Sequence, residues 1–326
     1  KRLLGPFQIY DLYDKFRREK KLHKDDIYYH YHPKPLSEDY HRSGYTISNS
    51  DHITSTLSQI LIERNYFPNC YRAGHTAERF DLHIFLEQWI PFDFSNHSTK
   101  KNKNFTSTPR FGDWRFADKT WTPYHPDFYD YQKKGKCKRL IARSLPIYSR
   151  DYSISDSDVN DAFKEASKKG KALLSFFGHD FKNIEKEVDI VRTKIEKIKL
   201  RYPKVLIKFS KAVDAIRKVS NIKNKIFKLE ANIIRNNTSY PKLIIKSNSE
   251  IFGIQPFLSI KYKSKYIWQN LDFEFKNTWS YTFDEHNLLL KDVEKLSIAA
   301  NSKFGKTIIL RLIKSKFKFK KIILNN

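Results

Sequence analysis

The chain has 326 residues, with 62 Lys and Arg against 36 Asp and Glu, a net charge of +26, 40% hydrophobic residues and 15% aromatics. That length suits two domains, and that apolar content buries a core, which excludes wholesale disorder. Two cysteines, Cys70 and Cys137, do not make a disulfide scaffold, and no apolar stretch approaches the roughly 20 residues that span a bilayer.

Residues 7–22 carry a helical pattern with a basic end. The run from Asp26 to His32 is β-branched and aromatic and is stopped by Pro33, so it reads as a strand. Side chains two apart on a strand face the same way, so His30 and His32 share a face at its carboxyl end. They are either nitrogen ligands for a divalent metal or hydrogen-bonding caps of the strand. A loop over 33–50 precedes a helix over 51–65, with Ile53, Leu57, Ile60 and Leu61 at helical spacing.

A short strand, Cys70-Tyr71-Arg72, runs into Ala73-Gly74, followed by a helix over 80–89 and a strand from Ile90 to Phe94. Glu78, Arg79 and Asp81 either line a site or cap that helix. The stretch 95–139 has little periodicity and much Trp, Tyr, Pro and Asp, the composition of a functional loop. Trp114, Trp121, Tyr124 and His125 are candidate platforms for sugar rings, or else aromatics that pack the loop. Cys137 sits among Lys136, Lys138 and Arg139, which would lower its pKa.

The second half of this region reads as helix 156–169 closed by Gly170, a doubly buried strand 171–177 ending at Gly178-His179-Asp180, and helix 183–201. Asp180 reads as the cap of that last helix. Strand 204–209 and helix 210–219 complete the alternation. Alternating β and α elements argue for a parallel α/β architecture over residues 1–225. Short alternating runs over 226–326 argue for a smaller all-β, sandwich-like accessory domain. Ten of the 11 histidines lie before residue 180, so the chemistry belongs to the first domain.

The basic excess reflects either an acidic partner or lysine-rich composition, and it is spread along the chain. Lys314, Lys316, Lys318 and Lys320 alternate with Ser315, Phe317 and Phe319, which is strand patterning and argues against nucleic-acid binding.

Four strand ends carry polar chemistry in order: His30-Tyr31-His32-Pro33, Arg72-Ala73-Gly74, Asp93-Phe94-Ser95-Asn96 and Gly178-His179-Asp180. With Tyr71-Arg72-Ala73-Gly74, Ile90-Pro91-Phe92-Asp93-Phe94-Ser95 and Leu174-Ser175-Phe176-Phe177-Gly178-His179-Asp180, residues 25–218 resemble the polysaccharide deacetylases, the NodB-homology carbohydrate esterases. The resemblance implies a distorted (β/α) barrel and a divalent metal, frequently zinc. It implies removal of an N- or O-acetyl group from a bacterial surface glycan or sugar precursor. By position it implies His30 and His32 as metal ligands, with His52 or His75 as alternates. Arg72 would orient a catalytic Asp, Asp93 would belong to the catalytic set, and His179 would protonate the leaving amine. Trp114, Trp121, Tyr124, His125 and Glu78 would contact the sugar.

The sequence departs from the family pattern at its start. No Asp-Asp strand precedes His30, no methionine begins the chain, and Lys1 to Pro6 lack a signal-peptide core. The expectation is an incomplete N-terminus whose first strand lies before residue 1, and a cytoplasmic location. A catalytically silent carbohydrate-binding relative and a basic nucleic-acid-binding protein are the alternative functions.

Overall fold

The computed structural model describes residues 6–22, 25–44, 50–100, 111–149, 152–179, 183–235, 240–315 and 318–325. Helix α1 (Pro6–Glu19) precedes β1 (Tyr29–Tyr31), α2 (Ser50–Arg64), β2 (Cys70–Ala73), α3 (Phe80–Trp89), β3 (Phe92–Asn96) and β4 (Leu140–Arg143). The four strands form one sheet in the order β1-β2-β3-β4, parallel throughout. Parallel strands need helical crossovers, and α2 and α3 supply two of them.

Period-two alternation sorts the sheet's side chains onto two faces. Tyr29, Tyr31, Tyr71 and Ala73 pack with Leu57, Leu61, Leu82 and Leu86 of α2 and α3. Cys70, Phe92, Phe94, Leu140 and Ala142 pack on the other face with Val213 and Ile216. Those two residues belong to α6 (Ala212–Val219), which follows β5 (Leu145–Pro146), α4 (Asp156–Lys169), β6 (Phe176–Phe177) and α5 (Ile184–Lys199). β5 and β6 pair in parallel as a separate two-stranded unit, and no closed sheet is found among the described residues. The chain is thus mixed α/β, with a parallel sheet and, beyond it, antiparallel ones.

Helix α4 shows how local sequence sets a boundary. Ser155 accepts a hydrogen bond from the Asp158 amide while Asp158 accepts from the Ser155 amide, and Gly170 ends the helix at φ 80°. This is a reciprocal cap at one end and a left-handed glycine at the other. α5 is capped by Asn183, while Asp180 lies outside the described residues.

Three expectations fail here. The apolar run 171–177 forms a strand only at Phe176–Phe177, and both residues are half-buried. Residues 204–209 form no strand, and Leu206 is 90% exposed. Apolar composition signalled strands, but no neighbouring strand among the described residues pairs with 204–209. β4 and β5 fall where the sequence suggested no element.

Among the described residues nine strands follow: β7 (Leu229–Ile234), β8 (Lys242–Ser247), β9 (Phe257–Tyr262), β10 (Lys265–Gln269), β11 (Asp272–Phe275), β12 (Thr278–Thr282), β13 (Val293–Asn301), β14 (Thr307–Ser315) and β15 (Lys318–Asn325). Their sheets run β10-β9-β13-β14-β15 and β11-β12-β8-β7, with all pairs antiparallel. Leu243, Ile245, Trp279 and Tyr281 of one sheet share a core with Leu258, Ile260, Ile298 and Leu310 of the other. Lys316 and Phe317 lie outside the described residues.

β9, β13 and β14 of the five-stranded sheet are buried on both faces. Phe257, Ala299 and Ile309, one residue out of phase with that core, join the cluster of α2 and α3. Phe257 meets Phe67 and Trp89 at ring separations of 5.2 Å each. Glu63 of α2 accepts hydrogen bonds from Tyr266, Lys261 and Lys295, and those partners hold its carboxyl at about 2 against the upward push of burial. Phe257→Ala should therefore loosen the two halves together, costing about 3–5 kcal/mol in urea denaturation. A loss below about 1 kcal/mol would mean that the shared cluster contributes little.

Candidate functional site

The carboxyl ends of β1, β2 and β3 converge with β6, where parallel sheets place their sites. His30 lies opposite Arg72 in the β1–β2 register. Its Nδ1 is 2.9 Å from the Arg72 carbonyl oxygen. A carbonyl only accepts, so Nδ1 carries the proton and Nε2 presents its lone pair to the rim. Crowding by the protein, then the Arg72 guanidinium and His32, depresses the His30 pKa to about 3, although the residue keeps an open face. His30 is therefore a neutral imidazole with a fixed tautomer, the state in which histidine ligates metals.

His32 stands with its ring 5.0 Å from that of His30 and 4.5 Å from that of His75. Gly74 makes this approach possible: a Cβ there would lie 2.4 Å from His32 Cγ and 2.7 Å from its Cα. His75 and Thr76 both adopt left-handed backbone, at φ 53° and 50°. Such angles are costly outside glycine and persist only when neighbours enforce them. Here the Gly112 amide donates to the His75 carbonyl at 3.2 Å, and Trp114 Nε1 donates to the Thr76 carbonyl at 2.8 Å. Of the alternates, His75 therefore joins the pair. His52 bonds the Tyr31 hydroxyl through Nδ1 at 2.6 Å, and Tyr31 points to the α2 side.

Arg72 lies beside this pair, with its guanidinium carbon 3.5 Å from the Phe177 ring centroid. His97 and His179 flank Phe177 at ring separations of 5.9 and 6.2 Å. Burial and then the Arg72 charge lower the His97 pKa to about 4, against a hydrogen bond with the Ser144 backbone. The structure thus gathers His30, His32, Arg72 and His179 on one rim. It adds His75, His97 and Phe177, of which only His75 was singled out from sequence. The signal for His97 was its position just beyond Asn96, at the end of a strand.

Asp93 is not part of that rim. It stands opposite Tyr71 in the β2–β3 register, so it points to the α2/α3 face while Arg72 points to the other. Its carboxylate accepts from Arg139 at 2.9 Å, from the Ser95 amide at 2.8 Å and from the Ser95 hydroxyl. Arg139 also donates to Glu78 at 2.5 Å and to His83 Nδ1 at 2.6 Å. Burial raises the Glu78 carboxyl well above its usual range, outweighing Arg139. The Arg139 guanidinium rises in turn, because Glu78 and Asp93 outweigh its own desolvation. Glu78 is 1% exposed and reaches no sugar site. The expected Arg72–carboxylate pair is absent among the described residues.

The aromatic platforms are also corrected. Trp114, Trp121 and Tyr124 are 4%, 1% and 5% exposed. Trp121 donates to the Asp158 carbonyl at 3.0 Å beneath the Arg143 guanidinium, and Tyr124 donates to the Tyr131 carbonyl at 2.8 Å. Trp114 and Tyr124 pack together with Ala117 and Ile141 as the core of the loop, while Trp121 packs against Val159 and Phe163 of α4 and Val191 and Ile195 of α5. His125 is exposed, with Nδ1 donating to the Arg139 carbonyl at 3.2 Å. Arg79, not Glu78 or Asp81, occupies the α3 cap position, and it makes no capping bond. Burial, then the Glu87 charge, lifts the Cys137 thiol to about 11, reversing the expectation from its basic neighbours. Both cysteines are free.

Zinc needs three or four donors. His30 and His32 fit two of them. No group of three His, Cys, Asp or Glu able to hold a metal occurs among the described residues. No helix among them is long and apolar enough to cross a membrane. No protein-family model matches the sequence, and no curated protein or solved structure matches it either.

Two outcomes test this geometry. Gly74→Ala should displace His32, destabilise the fold by about 1–3 kcal/mol and weaken any metal binding, as read by denaturation and metal titration. A variant with unchanged stability and metal affinity would contradict the close packing. His83, with Nε2 bonded to the Asp127 carbonyl at 3.0 Å, has its pKa lowered to about 4 by burial and then by Arg139, and His97 behaves alike. These groups stay neutral when folded but protonate near 6.5 when unfolded. Stability is therefore intact above pH 6.5 and falls between 6.5 and about 4, by on the order of 2–3 kcal/mol for His83 alone. Denaturation midpoints that stay flat across that window would refute the assignment.

Proposed function

We propose that the chain is a metal-dependent hydrolase of the polysaccharide deacetylase type, built on an open form of the distorted (β/α) barrel and followed by a β-sandwich. It would remove an N- or O-acetyl group from a glycan or sugar precursor. The supporting observation is the pairing of His30 and His32 rings 5.0 Å apart at the carboxyl rim, with His30 locked as a neutral Nδ1–H tautomer. In this reading His30 and His32 hold a divalent ion, zinc by donor type. When bound, zinc would polarise the acetyl carbonyl and lower the pKa of a water at the rim. His179, exposed at the rim, hands a proton to the departing amine or alkoxide. Arg72 supplies a fixed positive charge at the rim, and Phe177 holds that charge in place.

A second reading, a catalytically silent carbohydrate-binding relative, is favoured by one observation. The described carboxylates complete no metal-ligand group with the histidine pair, and Asp93 is committed to Arg139 and Ser95.

Zinc content by atomic absorption and acetate release from a chitooligosaccharide or a per-acetylated xylan separate the two. The hydrolase reading predicts close to one zinc per chain, lost at least ~10-fold in His32→Ala, with turnover lost in parallel. Unchanged zinc stoichiometry in that variant removes His32 from the ligand set. Glycan binding without acetate release by the zinc-loaded protein assigns the silent reading.

A further inference from the structure

Arg72 differs from the other arginines of this domain's interior. Arg139 is satisfied by Asp93, Glu78 and His83, and Arg143 by Asp158 and the Ser98 and Lys119 carbonyls. Arg72 has no such set. Its Nε is buried without a hydrogen-bond partner, and its guanidinium makes no ion pair among the described residues. Stacking on Phe177 uses one face of the planar group and leaves its fork of N–H donors at the edge. Burial lowers its pKa to about 10, only partly offset by the Asp93 charge, so it remains a cation at neutral pH.

A buried guanidinium nitrogen without an acceptor is costly, and an anion in the fork of Arg72 removes that cost. The neighbours suit an incoming anion. His97 and His179 stand on either side of Phe177, His30 lies behind, and none of them is a competing carboxylate. Burial and the charge of Arg72 hold His97 as a neutral imidazole.

We propose that the Arg72 guanidinium, backed by Phe177 and flanked by His97 and His179, binds one oxyanion group of the ligand, a carboxylate or a phosphate. A bidentate fork matches either group. The inference deepens the hydrolase reading by making the ligand anionic at the rim, and it does not depend on a bound metal. The two readings fail separately, because the anion measurement is made on chelator-treated protein and the zinc measurement is not.

The experiment is calorimetric titration of the metal-free chain with inorganic phosphate and, separately, with acetate, at ionic strength matched with chloride. Saturable binding of at least one anion at one site is expected, at least ~10-fold weaker in Arg72→Gln and intermediate in Arg72→Lys, which keeps the charge but loses the fork. Tighter phosphate assigns a phosphorylated sugar; tighter acetate assigns a carboxylate. As a second readout on the unmodified chain, the anion should slow 2,3-butanedione modification of Arg72, mapped by mass spectrometry. Absence of saturable binding for both anions, equal binding by a folded Arg72→Gln, or no protection of Arg72 would overturn the proposal.

Discussion

The Arg139 guanidinium is the constraint on which the rim depends. Fully buried, it ties the entry of β4 to Asp93 on β3, to His83 on α3 and to Glu78 in the turn after β2. Asp93 passes the constraint on through Ser95, whose hydroxyl accepts from the Ala73 amide at 2.8 Å. The end of β2 is thereby held against β3, and Gly74 is fixed where His32 packs over it. Buried ion clusters of this kind add little net stability over an apolar core, yet removing one partner is expensive. Their value here is positional: they fix the direction in which β2 leaves the sheet.

The two faces of the parallel sheet divide structure from chemistry. One face meets α2, α3 and the five-stranded sheet, and it carries the ion cluster. At the carboxyl end of the other face stand His30 and Arg72, with His32, His75, His97, Phe177 and His179 around them. The polarity of that rim is unusual. His30 and His97 are held neutral beside a guanidinium that makes no ion pair among the described residues. The proposed metal ion and oxyanion both rest on this combination of imidazole nitrogens and a guanidinium fork.

Much of this was legible in sequence, because the signals were local. Ser155 and Gly170 bounded α4, periodicity gave α2 and α3, and the shift to short alternating runs marked the antiparallel sheets. His30, His32, Arg72 and His179 stood out because they end strands. The errors came from facts that no local pattern encodes. Asp93 follows a strand-like run just as His30 does, but register turns it to the opposite face. Trp114, Trp121 and Tyr124 looked like open platforms because loop residues are normally exposed, whereas the loop folds around Trp114 and Tyr124 and Trp121 packs against α4 and α5. β4 was hidden by Arg139 and Arg143, whose charges read as surface but whose partners are distant carboxylates and carbonyls. Leu206 and Phe209 read as strand residues, but a strand requires a partner as well as composition.

The central claim is that the histidine pair at the rim is a metal-binding pair. X-ray absorption at the zinc edge of the zinc-loaded chain tests it most directly. The account predicts a first shell with two imidazole nitrogens at about 2.0–2.1 Å, with the multiple-scattering signature of histidine rings. A shell of oxygen alone, or one containing sulfur, would contradict it.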